Sequence, residues 1–311
     1  MWRKSRPSPA LIADHILCKL AALGDEPLNC DLATLGPLHY ASLYPKSTPA
    51  DALIWAQTFS GMDLNRDLAI LKALVERVER RAIEEGRSRG EASCTLPRSD
   101  GMAAFPTFGV GPRAFELARR KAYSEAVERF TWASWWDNRS IGAKISRDSC
   151  INWSSSAREI VHAINDLVPI KRTIRIEPSV DTPIQTQIYF FVLENDGLVS
   201  GGASGTLEEQ DHTQIRALGE LSRHASAARK LLAGARAQTF YERRLAYMAT
   251  HPTCPILNNR IMNSGSSVLQ LPDLKFDEGV HHSMSKEVYV HRCYFENQPP
   301  FVGGDLERLC L

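Results

Sequence analysis

Glu76, Glu79 and Arg80 form an E-x-x-E-R motif within "LVERVERRAIEE", and Glu125, Glu128 and Arg129 repeat it 49 residues later within "YSEAVERFTWAS". Residues three apart on a helix share a face, so each motif aims two carboxylates the same way. The arginine after the second glutamate lies about 100° further round, from where it can fold back onto a phosphate or carboxylate. Two such helices facing one another would gather four carboxylates. Those would repel, and their pKa values would rise unless a cation joined them. Magnesium relieves the repulsion and takes oxygen ligands shared with substrate phosphates. The doubled pattern therefore points to a nucleotide–magnesium site built on helix faces. The plainer alternative is two solvated faces with local ion pairs, which is the better reading for one isolated copy.

Other residues invite chemistry less strongly. "GVGPRA" is a G-x-G-x-x-A string entering a helix, where a phosphate could sit beside Arg113. No strand precedes it in a βαβ unit, so a plain loop is the preferred reading. His281 and His282 have no acidic or cysteine partner at ligand spacing and read as surface residues. Trp132, Trp135 and Trp136 read as packing at a helix end rather than a base-stacking platform. Cys254 in "HPTCP" is a nucleophile candidate with His251, but its flanking prolines suggest a rigid loop.

Bulk properties narrow the classes. The 311 residues suffice for one large or two small domains, and a 43% hydrophobic content is ordinary for a globular protein. A net charge of +1, from 37 basic and 36 acidic residues, argues against a nucleic-acid partner. The seven cysteines are scattered, odd in number and without a C-x-x-C pair, so neither a disulfide framework nor a zinc knuckle fits. A reducing cytoplasm is the simplest compartment. The first twenty residues make a poor signal peptide, and no apolar run is long enough for a membrane span.

The elements that must carry the motifs are readable in part. Residues 9–24 have the pattern of a short helix. Residues 25–50 show no clear period. Leu64, Leu68, Leu71, Leu74, Val75 and Val78 keep helical spacing across 63–85, which places the first motif on an amphipathic helix. Residues 97–112 read as a Gly/Pro-rich loop, and a helix follows over 113–136 with the second motif. A polar segment at 137–157 leads to a helix at 158–167. The period then changes: "TIRIEPSV" and "IQTQIYFFVLEN" read as strands, and "NDGLVSGGASG" as a turn and loop. Residues 211–235 return to helix, "KEVYVHRCYFE" alternates as a strand, and "NQPPFVGGD" is a loop. The expected class is α+β: helices carrying a glutamate cluster, packed on mixed or antiparallel sheets. The expected division is an N-terminal helical segment, 1–54, and one domain over 55–311.

These segments carry a family resemblance. "SGMDLNRDLAILKALVERVERRA" resembles the first signature of the YcaO family, a glycine turn leading to S-x-x-x-E-x-x-E-R. "RSDGMAAFPTFGVGPRAFELARRKAYSEAVERFTWASWW" is similar to the second, S-N-G-x-x-A-G-N-T before another E-x-x-E-R helix. "GGASGTLEEQDHTQIRALGELSRHASAARKLLAGAR" resembles a third stretch, a glycine-rich turn before A-L-x-E and G-x-R. "VYVHRCYFENQPPFVGGD" is similar to a late strand running into a Pro/Gly turn. The four lie in order across residues 55–305. A short, divergent member of the trifolitoxin-processing kind is the narrower resemblance.

The resemblance implies ATP-dependent activation of a peptide backbone amide. A Cys, Ser or Thr side chain, or an external sulfur donor, attacks the amide carbon, and the oxygen leaves as phosphate. The products are azolines, amidines or thioamides. ATP and Mg2+ are held by helix glutamates without a P-loop, and no G-x-x-x-x-G-K-[ST] occurs here. Carried over by position, Glu76, Glu79, Arg80, Glu125, Glu128, Arg129, Glu220 and Arg236 are nucleotide-site candidates, with Glu76, Glu79, Glu125 and Glu220 as metal ligands. Partners implied are a ribosomally made precursor peptide, in bacteriocin or peptide-toxin maturation, and a leader-binding protein or oxidoreductase. The family's pattern is not complete. Lys72 stands at the first motif's serine, Ala103 and Pro106 at polar positions of the second, and Leu117 at a further acidic position, with Glu116 one residue away. Lys72 either contacts phosphate directly, which adds it to the nucleotide-site candidates, or marks a catalytically inactive scaffold that binds precursor peptide or a partner enzyme.

Overall fold

A computed structural model describes residues 7–48, 59–91, 94, 101–137, 140–237, 239–299 and 306. Helix α1 (Pro9–Ala22) begins with Ser8 capping the Leu11 N–H and proline in its first turn. A hairpin follows, β1 (Leu28–Leu35) and β2 (Leu38–Pro45), closed by Gly36–Pro37 with Gly36 at φ +55°. This corrects the reading of 25–50 as unpatterned. Most of β1 is exposed, so it shows no alternation of apolar residues. Strand β3 (Phe59–Asp63) leads into α2 (Arg66–Ser88), where the Asn65 side chain caps the Leu68 N–H and the predicted apolar stripe is buried. Strand β4 (Gly101–Pro106) lies where a loop was expected, with Pro106 at its end, where a missing N–H is tolerated. Helix α3 (Arg113–Asp137) carries the second motif.

Strand β5 (Ala143–Arg147) interrupts the segment read as polar, and α4 (Ser155–Leu167) is capped by Ser154. Three strands follow: β6 (Ile170–Pro178), β7 (Ile184–Leu193) and β8 (Leu198–Thr206). The last corrects the turn-and-loop reading of "NDGLVSGGASG", whose glycines concealed a strand. Then come α5 (Gln210–Leu232), α6 (Phe240–Thr250), α7 (Cys254–Met262), β9 (Leu274–Gly279) and β10 (Val288–Phe295). The sheets run β1-β2-β3, β4-β10-β9 and β5-β6-β7-β8. The strand registers are antiparallel, which is one of the alternatives expected, and the class is α+β.

Contacts divide the described residues into two units. The first holds those within Met1–Leu96, Asp100–Tyr123 and Leu274–Tyr294; the second holds those within Ser124–Asp273 and Phe295–Leu311. Residues 9–45 thus pack with α2 and β3 rather than forming a helical segment of their own. The expected boundary at 54/55, the start of the loop expected at 97–112 and the end of the one at 297–305 lie outside the described residues. Buried Ile12, Ile16, Leu43, Leu74, Val78 and Val290 belong to the first core. In the second, Trp132 and Trp136 pack with Ile174, Ile176 and Phe190, as expected for structural tryptophans.

Each unit contains the same succession. In the first it is α1, β1, β2, β3, α2; in the second it is α4, β6, β7, β8, α5. Both close with a 23-residue helix. A glycine lets the last strand touch that helix in both. A Cβ on Gly61 would stand 2.0 Å from the Ala69 carbonyl oxygen and 2.6 Å from the Ala73 nitrogen. One on Gly201 would stand 2.4 Å from the Ala217 oxygen and 2.3 Å from the Leu221 nitrogen. Matched on these contacts, Ala69 corresponds to Ala217 and Ala73 to Leu221. Lys72 then corresponds to Glu220, and Glu76 to His224. The structural duplication therefore pairs α2 with α5, whereas the sequence motif pairs α2 with α3.

Candidate functional site

In the first unit, Glu76 Oε2 accepts the Ser60 N–H at 2.6 Å, and its Oε1 accepts Arg80 Nη2 at 2.7 Å. Glu79 Oε1 accepts the Ala104 N–H of β4 at 2.8 Å. The two glutamates thus share a helix face, as their spacing requires, and Arg80 braces the first of them one turn on. Lys72 Nζ lies 2.6 Å from Asp63 Oδ2 and donates to the Met62 carbonyl at 3.1 Å. Its charge is matched within the protein. Ala103 is buried in β4, while Glu116 and Leu117 are exposed on α3.

In the second unit the motif repeats its internal geometry. Glu125 pairs with Arg129, and Glu128 Oε2 accepts the Ser204 N–H of β8 at 3.0 Å. In both copies the first glutamate binds the arginine at i+4, and the second accepts an amide hydrogen from a strand. The Ser204 carbonyl accepts from Ser124 Oγ at 2.8 Å and Arg216 Nη1 at 3.1 Å. Glu220, on α5, pairs with Arg223 at 3.1 Å.

Here carboxylates do converge. Burial pushes the Glu128 carboxyl up to about 8; Arg216 and Arg129 oppose the rise, and the charges of Glu125 and Glu220 add to it. Burial also works against ionisation of Glu220, yet its neighbours, Arg223 first and then His224 and Arg129, outweigh it and hold that carboxyl below its ordinary value. The result is an ionised Glu220 beside a Glu128 that holds its proton near neutrality. A divalent cation would reverse that, since it favours the ionised form of every carboxylate it meets. Arg236 lies beyond the end of α5, exposed and with no ion-pair partner among the described residues, so the structure does not bring it into this carboxylate group.

Next to Glu220, His224 is fully buried, and burial lowers its pKa. Its Nδ1 meets the Ser200 carbonyl, so that nitrogen carries the proton, and Nε2 accepts from the Tyr241 hydroxyl. Sequence reading missed this histidine. Its signal was the serine–glycine pair, Ser60–Gly61 and Ser200–Gly201, that precedes both long helices.

The weaker candidates resolve as follows. Gly109 and Gly111 have φ of +81° and +65°, and a strand, β4, does precede them, but it pairs antiparallel with β10 and forms no βαβ unit. His281 is exposed as expected, whereas His282 is buried and its pKa falls to about 4 through burial. Cys254 opens α7 and accepts Arg172 Nη2 at 2.7 Å, while His251 is exposed and stacks on Tyr247, so the two do not form a nucleophile–base pair. A cluster missed entirely joins Asp277, His291 and Cys293 in the β4-β10-β9 sheet. The alternation H-x-C in "VYVHRCYF" was its only sequence signal.

These elements define an α+β protein with the fold of YcaO proteins. The solved structure of YcaO from Methanopyrus kandleri, bound with AMPPCP and Mg2+, matches 95% of this chain and 92% of that one, with a TM-score of 0.61 and 13% sequence identity. At that identity the likeness is one of fold. No protein-family model matches the chain, and no curated protein does. Among the described residues no helix is long and apolar enough to cross a membrane.

Proposed function

We propose that this chain uses ATP and Mg2+ to activate a backbone amide of a ribosomally made precursor peptide. A Cys, Ser or Thr side chain of the peptide attacks the amide carbon, ATP takes the departing oxygen as phosphate, and an azoline results. Glu76, Glu79, Glu125 and Glu220 are the proposed metal ligands. Arg80, Arg129, Arg236, Glu128 and Lys72 complete the candidate nucleotide-binding set. The setting is cytoplasmic maturation of a bacteriocin-like peptide, with a leader-binding or oxidoreductase partner. The observation that carries this reading is the carboxylate group around Glu128, whose proton is retained by burial and like charge, within a fold whose solved counterpart holds AMPPCP and Mg2+.

A second reading has its own support. Lys72 is tied to Asp63, and the carboxylates of Glu76 and Glu79 already hold strand amides. These contacts suit a scaffold that presents peptide without turning over ATP. Calorimetric titration with ATP separates the two. For the enzyme, saturable heat should require Mg2+, and Glu76→Gln and Glu125→Gln should each weaken binding at least tenfold while leaving the circular dichroism unchanged. Absence of heat from the wild-type protein, with and without Mg2+, would eliminate the ATP-using enzyme and leave the scaffold.

A further inference from the structure

His291 and Cys293 are two residues apart on β10 and therefore project from the same face of the sheet. Asp277 reaches them from β9. One ligand atom from each lies within 4.8 Å of the other two. His291 Nε2 is 2.7 Å from Asp277 Oδ1, and Cys293 Sγ is 3.4 Å from the same oxygen. The histidine and cysteine are buried, and the aspartate is partly so. On the other side of β10, the residues in register with His291 and Cys293 are Ala103 and Gly101. Neither is large enough to crowd the three ligand atoms. The Tyr289 hydroxyl stands 3.3 Å from His291 Nδ1, and Gly279 admits it, since a Cβ there would lie 2.4 Å from that oxygen.

We propose that Asp277, His291 and Cys293 bind one zinc-class divalent cation, with a fourth position left to solvent or an incoming ligand. A thiolate and an imidazole in the same set select zinc or cobalt over magnesium and calcium, which prefer oxygen alone. Three protein ligands with an open position is the arrangement of reactive zinc sites rather than closed structural ones. On binding, Cys293 gives its proton to solvent, and His291 presents the Nε2 lone pair. Its Nδ1–H then donates to the Tyr289 oxygen, the outer contact that holds a ligating ring in orientation. Asp277 contributes Oδ1.

Arg119 is the built-in competitor. In the metal-free chain its guanidinium lies on Asp277, with Nε 3.0 Å from Oδ2, and supplies the positive charge that a cation would bring. Its side chain is 56% exposed, so it can turn into solvent at little cost when a metal arrives. Phe115 is tilted against Tyr289 at 5.1 Å and lies edge-on to His291 at 5.9 Å, so it packs beside the imidazole ring. This site shares no residue with the proposed nucleotide set and stands or falls independently of it.

The test is a titration of the full chain with cobalt(II), then zinc, in a non-chelating phosphine reductant. One equivalent of cobalt should produce a thiolate charge-transfer band, and zinc should displace it. Cys293→Ser should abolish the band, His291→Ala should weaken binding at least tenfold, and Arg119→Ala should tighten it. No thiolate band, or a band unchanged in Cys293→Ser, would overturn the site; the latter would mark adventitious binding at the exposed Cys18, Cys30 or Cys150. If a variant fails to fold, zinc-edge X-ray absorption of the wild-type protein decides. One sulfur near ~2.3 Å with nitrogen and oxygen neighbours supports the site, and a sulfur-free shell refutes it.

Discussion

Glu128→Gln should leave stability nearly unchanged in acid and raise it in alkali. The carboxyl moves from its ordinary 4.5 up to about 8 in the folded protein, chiefly through burial. Below the unfolded value it is protonated in both states and costs nothing. Between the two values the unfolded chain ionises while the folded one keeps its proton, so the folded state loses ground as pH rises. Above about 8 the loss is constant. At about 1.4 kcal/mol per pH unit the whole displacement is worth about 5 kcal/mol. Glu128 retains some solvent contact, which screens the effect and brings the expected gain to about 2–3 kcal/mol. Glutamine keeps an oxygen for the Ser204 N–H, so the hydrogen bond survives the change. Urea denaturation of both proteins at pH 5 and pH 9 measures the difference directly, because every other titrating group is common to the pair. The gain should be near zero at pH 5 and reach its full value at pH 9. Parallel pH profiles, or a variant less stable than wild type at pH 9, would refute the burial argument.

Gly61→Ala and Gly201→Ala should each cost about 1–3 kcal/mol, since the added methyl meets helix backbone that cannot rotate away. Denaturant midpoints test this, and equal losses at both sites are expected if the two strand–helix contacts are equivalent. Lys72→Ser should change stability by no more than about 1 kcal/mol, as befits a half-exposed ion pair. If Lys72 belongs to the nucleotide-binding set, Lys72→Ser should also weaken ATP binding at least tenfold in calorimetry; unchanged binding would leave the lysine as the partner of Asp63 alone.

Local periodicity settled the parts of this protein governed by neighbours in sequence. The stripe from Leu64 to Val78 placed α2, and three-residue spacing put Glu76 with Glu79 and Glu125 with Glu128. The arginine closing each motif was expected to fold back onto a phosphate or carboxylate, and in both copies it pairs with the first glutamate of its own motif. Family resemblance, spread over four weak motifs, reached the fold. The exposed hairpin β1-β2 escaped because it buries too little to alternate, and β8 escaped because its glycines, required by the closeness of α5, mimic a loop.

What the sequence by itself determined is thus the helix faces, their charges and the α+β class, all set by contacts within a turn or two. Tertiary structure alone decided three things. It matched α2 with α5 through Gly61 and Gly201, although the visible motif matched α2 with α3. It buried Glu128 and gathered Glu125 and Glu220 around it from two helices, so that burial chiefly, and like charge in addition, keep its proton on. It set Asp277 beside His291 and Cys293 across two strands. Each of these depends on pairs far apart in the chain, where no local period exists and only the packing of strand on helix, or strand on strand, selects the partner.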